Sequence, residues 1–291
     1  MRYLYYFIFS FLVVIFVYHT WFEKALWFNN SSHKVKDRRL REISGLVFSV
    51  QNQDKIWVHN DGRQRMKLVL IDEKGNTDAV FRSKDIITDW EDIAIDVKGK
   101  KGKPYVYVGD IGDNDAKRPV INVVRFAEPA AGDEQELQNT EKIYLKYPDG
   151  SHDAEAMFID PISRQLYIIT KREENVGVYS APISAGAGDT VLLKKAAKLN
   201  LKGVDVLRWV TGADISRDGS QILIRSYGYV YYWKRNTGQS VEQALREEPD
   251  VLPHASEIQG EAIGFIPEGN GFYTLSEGKH VALNFTRIST Q

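Results

Sequence analysis

A short polar segment recurs five times along the chain, and each copy opens an apolar run. The copies are EISGL at 42–46, DWEDI at 89–93, DAEAM at 153–157, TGADI at 211–215 and QGEAI at 259–263. They follow one another at intervals of roughly 50 residues, a period typical of propeller blades with loop insertions. A chain with this repeat is constrained to place five similar units around a common axis.

A second polar cluster follows within each unit, after another apolar strand. These clusters are HNDG at 59–62, GDIGDN at 109–114, TKREEN at 170–175, RSYG at 225–228 and SEG at 276–278. Short alternating apolar runs between Gly, Asp, Asn and Pro are typical of β-strands. We therefore predict an all-β fold over residues 42–291, a five-bladed β-propeller with six blades as the alternative.

The last unit shows only three strands, which would leave an edge of the ring unpaired. We predict that residues around 34–40 supply the missing outer strand and close the ring between the chain ends. One helical signal interrupts the strands, because Ser240 and Gln243 of SVEQALREE form the pattern of a capping box.

The amino-terminal segment has the composition of a membrane span. Residues 3–18 carry no charge, and the apolar run continues to Phe22, which gives about 20 residues or ~30 Å of helix. No small-x-small pair follows, so we predict an uncleaved signal anchor over residues 1–22. Residues 29–41 are polar and basic, and residues 23–41 are predicted to be a basic tether.

The orientation of this span depends on how far the flanking charges are counted. The first 15 residues after the span favour an extracytoplasmic body, in the periplasm or at the cell exterior, whereas counting to Arg41 reverses the comparison. A span at the extreme amino terminus is the ordinary export signal. We therefore expect the body to be membrane-anchored and extracytoplasmic.

Composition excludes several classes of function. The chain has 38 Lys+Arg against 39 Asp+Glu and no Cys, which excludes disulfide scaffolds, thiolate metal sites and cysteine nucleophiles. The near-zero net charge argues against nucleic acid as a partner. No GxSxG, Walker, HExxH or Rossmann pattern occurs. We expect a monomer.

The two repeated clusters should meet at one face, because antiparallel strands return the chain to the same end of a blade. Their acids and amides would then converge at the mouth of the central channel and supply the oxygen ligands that Ca²⁺ prefers. Two alternatives stay open: the acids lock neighbouring blades together, or the 110–115 segment is a self-capped turn. The predicted ligands of Ca²⁺ or another divalent cation are Glu91, Glu155, Glu261, Asn60, Asp61, Asp110 and Asn114.

The repeated motifs also carry a resemblance. ISGL, HNDG, DWEDIA, GDIGDN, DAEAM, TKR, GADIS and QGEAI, in that order, resemble a bacterial family of exported β-propellers that is similar to the phytase-like and esterase-like propellers. The resemblance covers residues 42–278 and implies an acidic, Ca²⁺-linked face. The chain departs from the phytase-like pattern in showing five repeats where six blades are expected.

Two functions fit these features. The first is a binding module whose acidic, metal-bearing face holds an anionic small molecule or a protein ligand. The alternative is a Ca²⁺-dependent hydrolase of phosphoesters, esters or lactones, with His59 as general base and Lys171 and Arg225 as anion clamps. The same side chains also have plainer interpretations, since a loop histidine often only donates a hydrogen bond and cations often pair with nearby acids. Trp90 and Tyr227 are predicted to pack within the core.

Overall fold

A computed structural model describes residues 31–62, 65–133, 135–279 and 281–288. The predicted anchor, residues 1–22, and the first part of the predicted tether lie outside these residues. Within the described ranges, no helix combines the length and the apolar character needed to cross a bilayer.

The described chain consists almost entirely of strands, beginning with β1 (Ser32–Lys34). Blade 1 contains β2 (Ile43–Phe48), β3 (Lys55–Asn60), β4 (Arg65–Asp72) and β5 (Thr77–Ile86). Blade 2 contains β6 (Asp92–Lys100), β7 (Lys103–Asp110), β8 (Ile121–Ala127) and β9 (Glu141–Lys146). Blade 3 contains β10 (Ala154–Asp160), β11 (Gln165–Thr170), β12 (Val176–Pro182) and β14 (Lys194–Leu199), while β13 is Thr190–Leu192.

Two further blades complete the molecule. Blade 4 contains β15 (Val210–Ile215), β16 (Gln221–Ser226), β17 (Val230–Lys234) and β18 (Asp250–Leu252). Blade 5 contains β19 (Gly260–Phe265), β20 (Gly271–Ser276) and β21 (Ala282–Arg287). The innermost strands β2, β6, β10, β15 and β19 each contact the next, and β19 contacts β2. The ring is therefore closed with five blades, as the five repeats predict.

The ring is closed by the amino-terminal strand. β1 pairs antiparallel with β21, with Lys34 opposite Ala282, and becomes the outermost strand of blade 5. Val35 and Leu40 then bury their side chains in the core next to blades 1 and 5. Part of the predicted tether is thus built into the propeller, and the closing strand lies slightly before the predicted residues 34–40.

The run LLKKAAKL at residues 192–199 is divided between two blades. β13 pairs in parallel with β9 and adds a fifth strand to blade 2, while β14 remains the outer strand of blade 3. Leu193 between them is buried, and its N–H donates to the carbonyl of Lys146 over 2.8 Å. The buried side chain fixes the point at which the chain crosses from one blade to the next.

The predicted capping box is present at the single α-helix of the described chain, α1 (Val241–Ala244). The Gln243 N–H donates to Ser240 Oγ over 3.2 Å, and the Ser240 N–H donates to Gln243 Oε1 over 2.8 Å. These reciprocal bonds satisfy amide groups that the first helical turn leaves unpaired. The helix is shorter than the sequence pattern suggests.

The core lies between the blades, where the faces of adjacent sheets meet. Phe158 of blade 3 packs in one cluster with Ile215 of blade 4, and Val47 of blade 1 packs with Ile93 of blade 2. Trp90 is fully buried in this second cluster, which confirms its predicted packing role.

Candidate metal centre

Four of the five innermost strands start with the same backbone irregularity, and the fifth is preceded by a matching backbone hydrogen bond. In blades 1, 3, 4 and 5 the register with the second strand shifts by one residue at the first or second position. In blade 2, Glu91 directly precedes the first residue of β6 that pairs with β7, and its N–H donates to the carbonyl of Gly109 over 2.9 Å. A bulge of this kind re-aims its side chain at the rim of a sheet. The five equivalent residues are Ser44, Glu91, Glu155, Thr211 and Glu261.

This register corrects one part of the sequence alignment. The repeat at 211–215 would make Ala213 the equivalent of Glu91, but the bulge places Thr211 there. Asp214 lies three residues further along β15, in a pocket lined by Val47 and Phe48 near the ends of the innermost strands. The blade 4 repeat is therefore displaced by two residues from its copies, and Asp214 is not part of the acidic mouth.

The blade-locking role falls to other acids of the innermost strands. Asp92 is buried, and its Oδ2 accepts a hydrogen bond of 2.8 Å from the N–H of Met157 in blade 3. Asp214 Oδ2 accepts one of 2.7 Å from the N–H of Phe265 in blade 5. Burial raises the pKa of Asp214 to about 7. These two carboxyls link neighbouring blades, whereas the bulge glutamates lie toward the channel mouth.

The second polar clusters lie at the same end of the ring. In every blade, a residue after the second strand donates its backbone N–H to the carbonyl two positions before the bulge residue. The pairs are Asp61 to Glu42 at 2.6 Å, Gly112 to Asp89 at 3.1 Å, Lys171 to Asp153 at 2.9 Å, Tyr227 to Trp209 at 3.2 Å and Glu277 to Gln259 at 2.9 Å. Both repeated clusters thus meet at one face, as antiparallel blades require.

Three carboxyls come together between blades 1 and 2. Asp61, Asp89 and Glu91 each offer an oxygen, and these oxygens all lie within 4.8 Å of one another. Glu91 is only 4% exposed. Burial, followed by the charges of Glu155, Asp61 and Asp89, raises the pKa of Glu91 well above its ordinary value. We call Asp61, Asp89 and Glu91 the acidic triad, and an arrangement of this kind can hold a metal ion.

Burial and the neighbouring charge of Asp89 also raise the pKa of Asp61, to about 6. Ser44 lies beside the triad, where its hydroxyl donates to the backbone carbonyl of Glu91 and lies 3.5 Å from Glu91 Oε2. Carboxylates that approach one another this closely repel unless a cation or a proton is shared between them. The ionised carboxylates of the acidic triad therefore repel one another, and a bound cation would offset this repulsion.

Gly112 of the GDIGDN segment makes this approach possible. A Cβ at residue 112 would clash with Glu91 Oε1 and would lie 2.8 Å from Asp89 Oδ2. We expect Gly112→Ala to displace both carboxyls. Because the atoms that move are the ends of side chains, the free energy of unfolding should fall by about 1 kcal/mol, the low end for overpacking. Chemical denaturation measures this change.

Gly132→Ala is the matched control, because a Cβ there meets no atom within 4 Å. This substitution should leave the denaturation midpoint nearly unchanged. Equal midpoints for the two variants would contradict the close packing of the triad against residue 112.

The opposite side of the mouth is built around a buried ion pair. Lys171 Nζ donates to Glu155 Oε1, and both side chains are 6% exposed. The ammonium also lies 5.1 Å from the centroid of the Tyr227 ring. Burial raises the pKa of Glu155 to about 7 despite this cation. Tyr227 therefore belongs to the channel mouth rather than to the strand packing that was predicted for it.

Glu261 completes the mouth from blade 5. Its side chain is buried, and Oε2 has no hydrogen-bond partner among the residues that the structure describes. Burial, followed by the charge of Glu155, raises the pKa of Glu261 to about 8. The mouth thus brings together three of the predicted glutamates, Glu91, Glu155 and Glu261, but only Glu91 belongs to the triad.

Three other predicted ligands lie outside the triad. Asp110 accepts hydrogen bonds from the Asp89 N–H at 2.9 Å, from an Arg118 guanidinium nitrogen at 2.8 Å and from Asn122 at 2.8 Å. It therefore shapes the turn that carries Asp89, as the turn interpretation proposed. Asn60 donates to the carbonyl of Arg39 over 2.7 Å. Asn114 is exposed, and its side-chain oxygen accepts a hydrogen bond from the guanidinium of Arg172.

The predicted general base is enclosed in the protein. His59 is fully buried, its Nδ1 lies 3.0 Å from the carbonyl oxygen of Asn60, and its ring stacks on Trp90 with centroids 4.6 Å apart. Its Nε2 faces Gly45 so closely that a Cβ at residue 45 would clash with it. Burial lowers the pKa of His59 to about 4. This placement does not support proton transfer to or from a substrate.

The predicted anion clamps are both engaged with acids. Lys171 is bonded to Glu155, as described above. Arg225 is fully buried, and its guanidinium donates to Glu257 Oε2 over 2.5 Å and to the carbonyl of Ala262 over 3.0 Å. The pairing interpretation that the sequence left open is the one observed.

Four residues of this face were not among the predicted site residues: Asp89, Gly112, Tyr227 and Glu277. Asp89 opens the DWED segment, and the other three donate the repeated backbone hydrogen bond at the end of their second clusters. Equivalent positions in the repeat were therefore the available signal. It was obscured because Gly112 and Tyr227 carry no carboxylate.

No protein-family model matches this chain, and no curated protein matches it. Solved structures similar to it include a chain of the nidogen/laminin complex, 14% identical with a TM-score of 0.41 over 81% of this chain and 73% of that chain. Another is the β-propeller domain of Cps50 (Swd1) from Myceliophteria thermophila, 14% identical with a TM-score of 0.43 over 85% and 84% of the two chains. The resemblance to phytase-like propellers gains no support from these findings. The fold and site define a five-bladed β-propeller with an acidic channel mouth.

Proposed function

We propose that this propeller binds a divalent cation at the acidic triad and that the cation prepares the channel mouth for an anionic ligand or a protein partner. One observation carries the proposal: three carboxyl oxygens lie within 4.8 Å of one another, and one of them belongs to the buried side chain of Glu91. A bound cation would offset both the repulsion and the burial of charge.

The donor set favours a hard cation. The triad offers carboxylate oxygens, Ser44 adds a nearby hydroxyl, and the nearest histidine of the repeated clusters, His59, is stacked on Trp90. Oxygen-only ligand sets suit Ca²⁺, Mg²⁺ or Mn²⁺ better than softer metals. We therefore expect Ca²⁺ or a similar ion, with water completing its coordination.

The charges of the channel mouth also indicate which ligand would bind there once the cation is in place. The cations near these acids are already paired within the protein: Lys171 with Glu155, Arg172 with Asp153 and Arg225 with Glu257. An anionic group approaching the mouth would therefore depend on the bound metal for its positive partner. We propose a ligand with a carboxylate or phosphate group, either a small molecule or an acidic side chain of a protein.

The hydrolase alternative has no comparable support. His59 is enclosed in the core, and the two predicted clamps, Lys171 and Arg225, form ion pairs within the protein. We therefore propose a binding module rather than a hydrolase.

We also propose a cellular location for this propeller. Residues 1–22 would anchor the protein in a membrane, with the propeller on the extracytoplasmic side, for the charge and hydropathy reasons given above. Protease treatment of intact cells or spheroplasts tests the side directly. Digestion of the body without lysis is expected, and protection until lysis would contradict the orientation.

The cation should stabilise the folded protein. At a hundredfold excess over its Kd, a ligand bound only by the folded state adds about 2.7 kcal/mol, or roughly 5–10 °C in Tm for a domain of this size. We expect Ca²⁺ or another divalent ion to raise the Tm of the wild-type protein, and EDTA to reverse the increase. Thermal denaturation followed by circular dichroism measures it.

Glu91→Gln should abolish the metal-dependent increase, because it removes the buried charge of the triad. Glu174→Gln is the control, since Glu174 is exposed and lies outside the triad. An unchanged Tm with every divalent ion, or an equal response in both variants, would overturn the proposal.

A further inference from the structure

A second polar pocket lies where the chain passes from blade 5 into blade 1. It has a volume of about 230 Å³. The segment after β1 lines most of it, and the turn after β20 supplies the rest. The buried side chains of Val35 and Leu40 hold this segment against the core. The lining residues are Val35, Asp37, Arg38, Leu40, Arg41 and Lys279.

Three of the lining side chains are exposed cations for which the described residues supply no acidic partner. Among the described residues, no carboxylate forms an ion pair with Arg38, Arg41 or Lys279. Arg41 Nε donates to the carbonyl of Arg38 over 2.9 Å, which anchors the guanidinium and leaves its two terminal nitrogens for another acceptor. Positive charge is thus collected around one cavity.

The one acid in the lining is already neutralised. Both carboxylate oxygens of Asp37 accept hydrogen bonds from Arg39, at 2.8 Å and 2.5 Å. The hydrogen bond from Arg39 holds the pKa of Asp37 below its ordinary value. Asp37 therefore does not counter the charges of Arg38, Arg41 and Lys279.

We propose that this pocket binds a phosphate group through Arg38, Arg41 and Lys279. A guanidinium presents paired N–H donors that match phosphate oxygens, and an ammonium adds a compact charge. A water molecule occupies about 30 Å³ in the liquid. The pocket volume is several times larger, which is enough for a phosphate group together with several attached atoms. The phosphate has two possible sources, a soluble phosphate compound or the headgroup of an anionic lipid near the proposed anchor.

The test uses the full-length chain in nanodiscs of neutral phosphatidylcholine, with EDTA present so that no metal occupies the acidic triad. Inorganic phosphate is titrated calorimetrically into the wild-type protein and into the double variant Arg41→Gln, Lys279→Gln. Because each lost contact is charge-assisted, we expect the variant to bind phosphate at least about tenfold more weakly. The control is Lys194→Gln, Lys198→Gln, which removes two exposed cations of β14 and should bind as the wild type does.

Chemical modification distinguishes the sources. Phenylglyoxal modification of Arg38 and Arg41 is followed by mass spectrometry in neutral nanodiscs, in neutral nanodiscs with phosphate, and in phosphatidylglycerol nanodiscs without phosphate. Protection in the last condition indicates a lipid headgroup, and protection by free phosphate alone indicates a soluble compound. Equal phosphate affinity in the two double variants, or no protection in either condition, overturns the proposal and leaves the metal site unaffected.

Discussion

Replacing Glu257 by Ala is expected to lower the free energy of unfolding by roughly 3–5 kcal/mol, the cost of breaking a buried ion pair by removing one partner. Glu257 lies in the loop before β19 and pairs with Arg225. The side chain of Glu257 is 5% exposed, and that of Arg225 is fully buried. Its other oxygen accepts hydrogen bonds from Thr274 at 2.8 Å and from Asn284 at 2.6 Å. The substitution would leave the Arg225 charge uncompensated between blades 4 and 5.

Urea denaturation of the variant measures this loss. Glu268→Ala is the control, because it also removes a glutamate, but from an exposed position of blade 5. A double variant that also replaces Arg225 by Leu should lose less stability than the sum of the two single changes, since no unpaired charge remains. Additive losses, or a loss for Glu257→Ala no larger than for Glu268→Ala, would contradict the buried pair.

The second large effect is a loss of stability on raising the pH of the metal-free protein. Burial raises the pKa of Glu261 to about 8 and that of Glu155 to about 7, from an ordinary value of 4.5. A carboxyl with a raised pKa binds its proton more tightly in the folded chain than in the unfolded one. The free energy of unfolding therefore falls as the pH rises through the raised pKa.

These two carboxyls alone account for a loss of about 2 kcal/mol between pH 6.5 and pH 8 in EDTA. Glu91 and Asp214, whose pKa values are also raised, change stability in the same direction. The window starts at 6.5 because burial lowers the pKa of His59 to about 4. The free-energy contribution of His59 rises with pH up to its ordinary pKa of 6.5. Below pH 6.5 it therefore offsets part of the loss caused by the acids. Denaturation midpoints at several pH values give the slope.

Glu261→Gln should make this slope measurably shallower, because one of the carboxyls with a raised pKa is removed. The variant should also be more stable than the wild type at pH 8 in EDTA. Glu174→Gln, which changes an exposed carboxyl, should follow the wild type. If Glu261→Gln loses stability at pH 8, or if the slope is unchanged, the strained acidic mouth is contradicted. Saturating divalent metal should also flatten the slope in the wild type, because the cation favours the ionised carboxyls.

The architecture was predictable because it depends on repetition. The alternation of apolar and polar residues predicts the strands and which of their faces is buried. The return of similar segments at intervals of roughly 50 residues predicts the number of blades. Closure by the amino-terminal strand followed from the three strands of the last unit and from the cost of an open edge. The transfer of β13 to blade 2 was not predictable, because β13 and β14 are continuous in hydrophobic pattern and only the burial of Leu193 separates them.

For the site, the sequence predicts which face of the propeller carries it but not which side chains form it. The sequence placed the two clusters at one end of the ring, but the bulge decides which side chain points into the mouth, and no residue type marks it. Thr211 holds that position in blade 4, although Asp214 resembles the acids of the other copies. The partners of Lys171 and Arg225 depend on tertiary contacts, and Glu257 lies in an irregular loop outside the repeat.

The cation site is tested most directly by crystals of the protein grown with Ca²⁺ and examined by anomalous scattering. We expect one anomalous peak at about 2.3–2.6 Å from carboxylate oxygens of Asp61, Asp89 and Glu91, and its loss in crystals of Glu91→Gln. A wild-type structure at saturating Ca²⁺ with no peak at the channel mouth, or with the three carboxyls turned away from one another, would contradict the proposal.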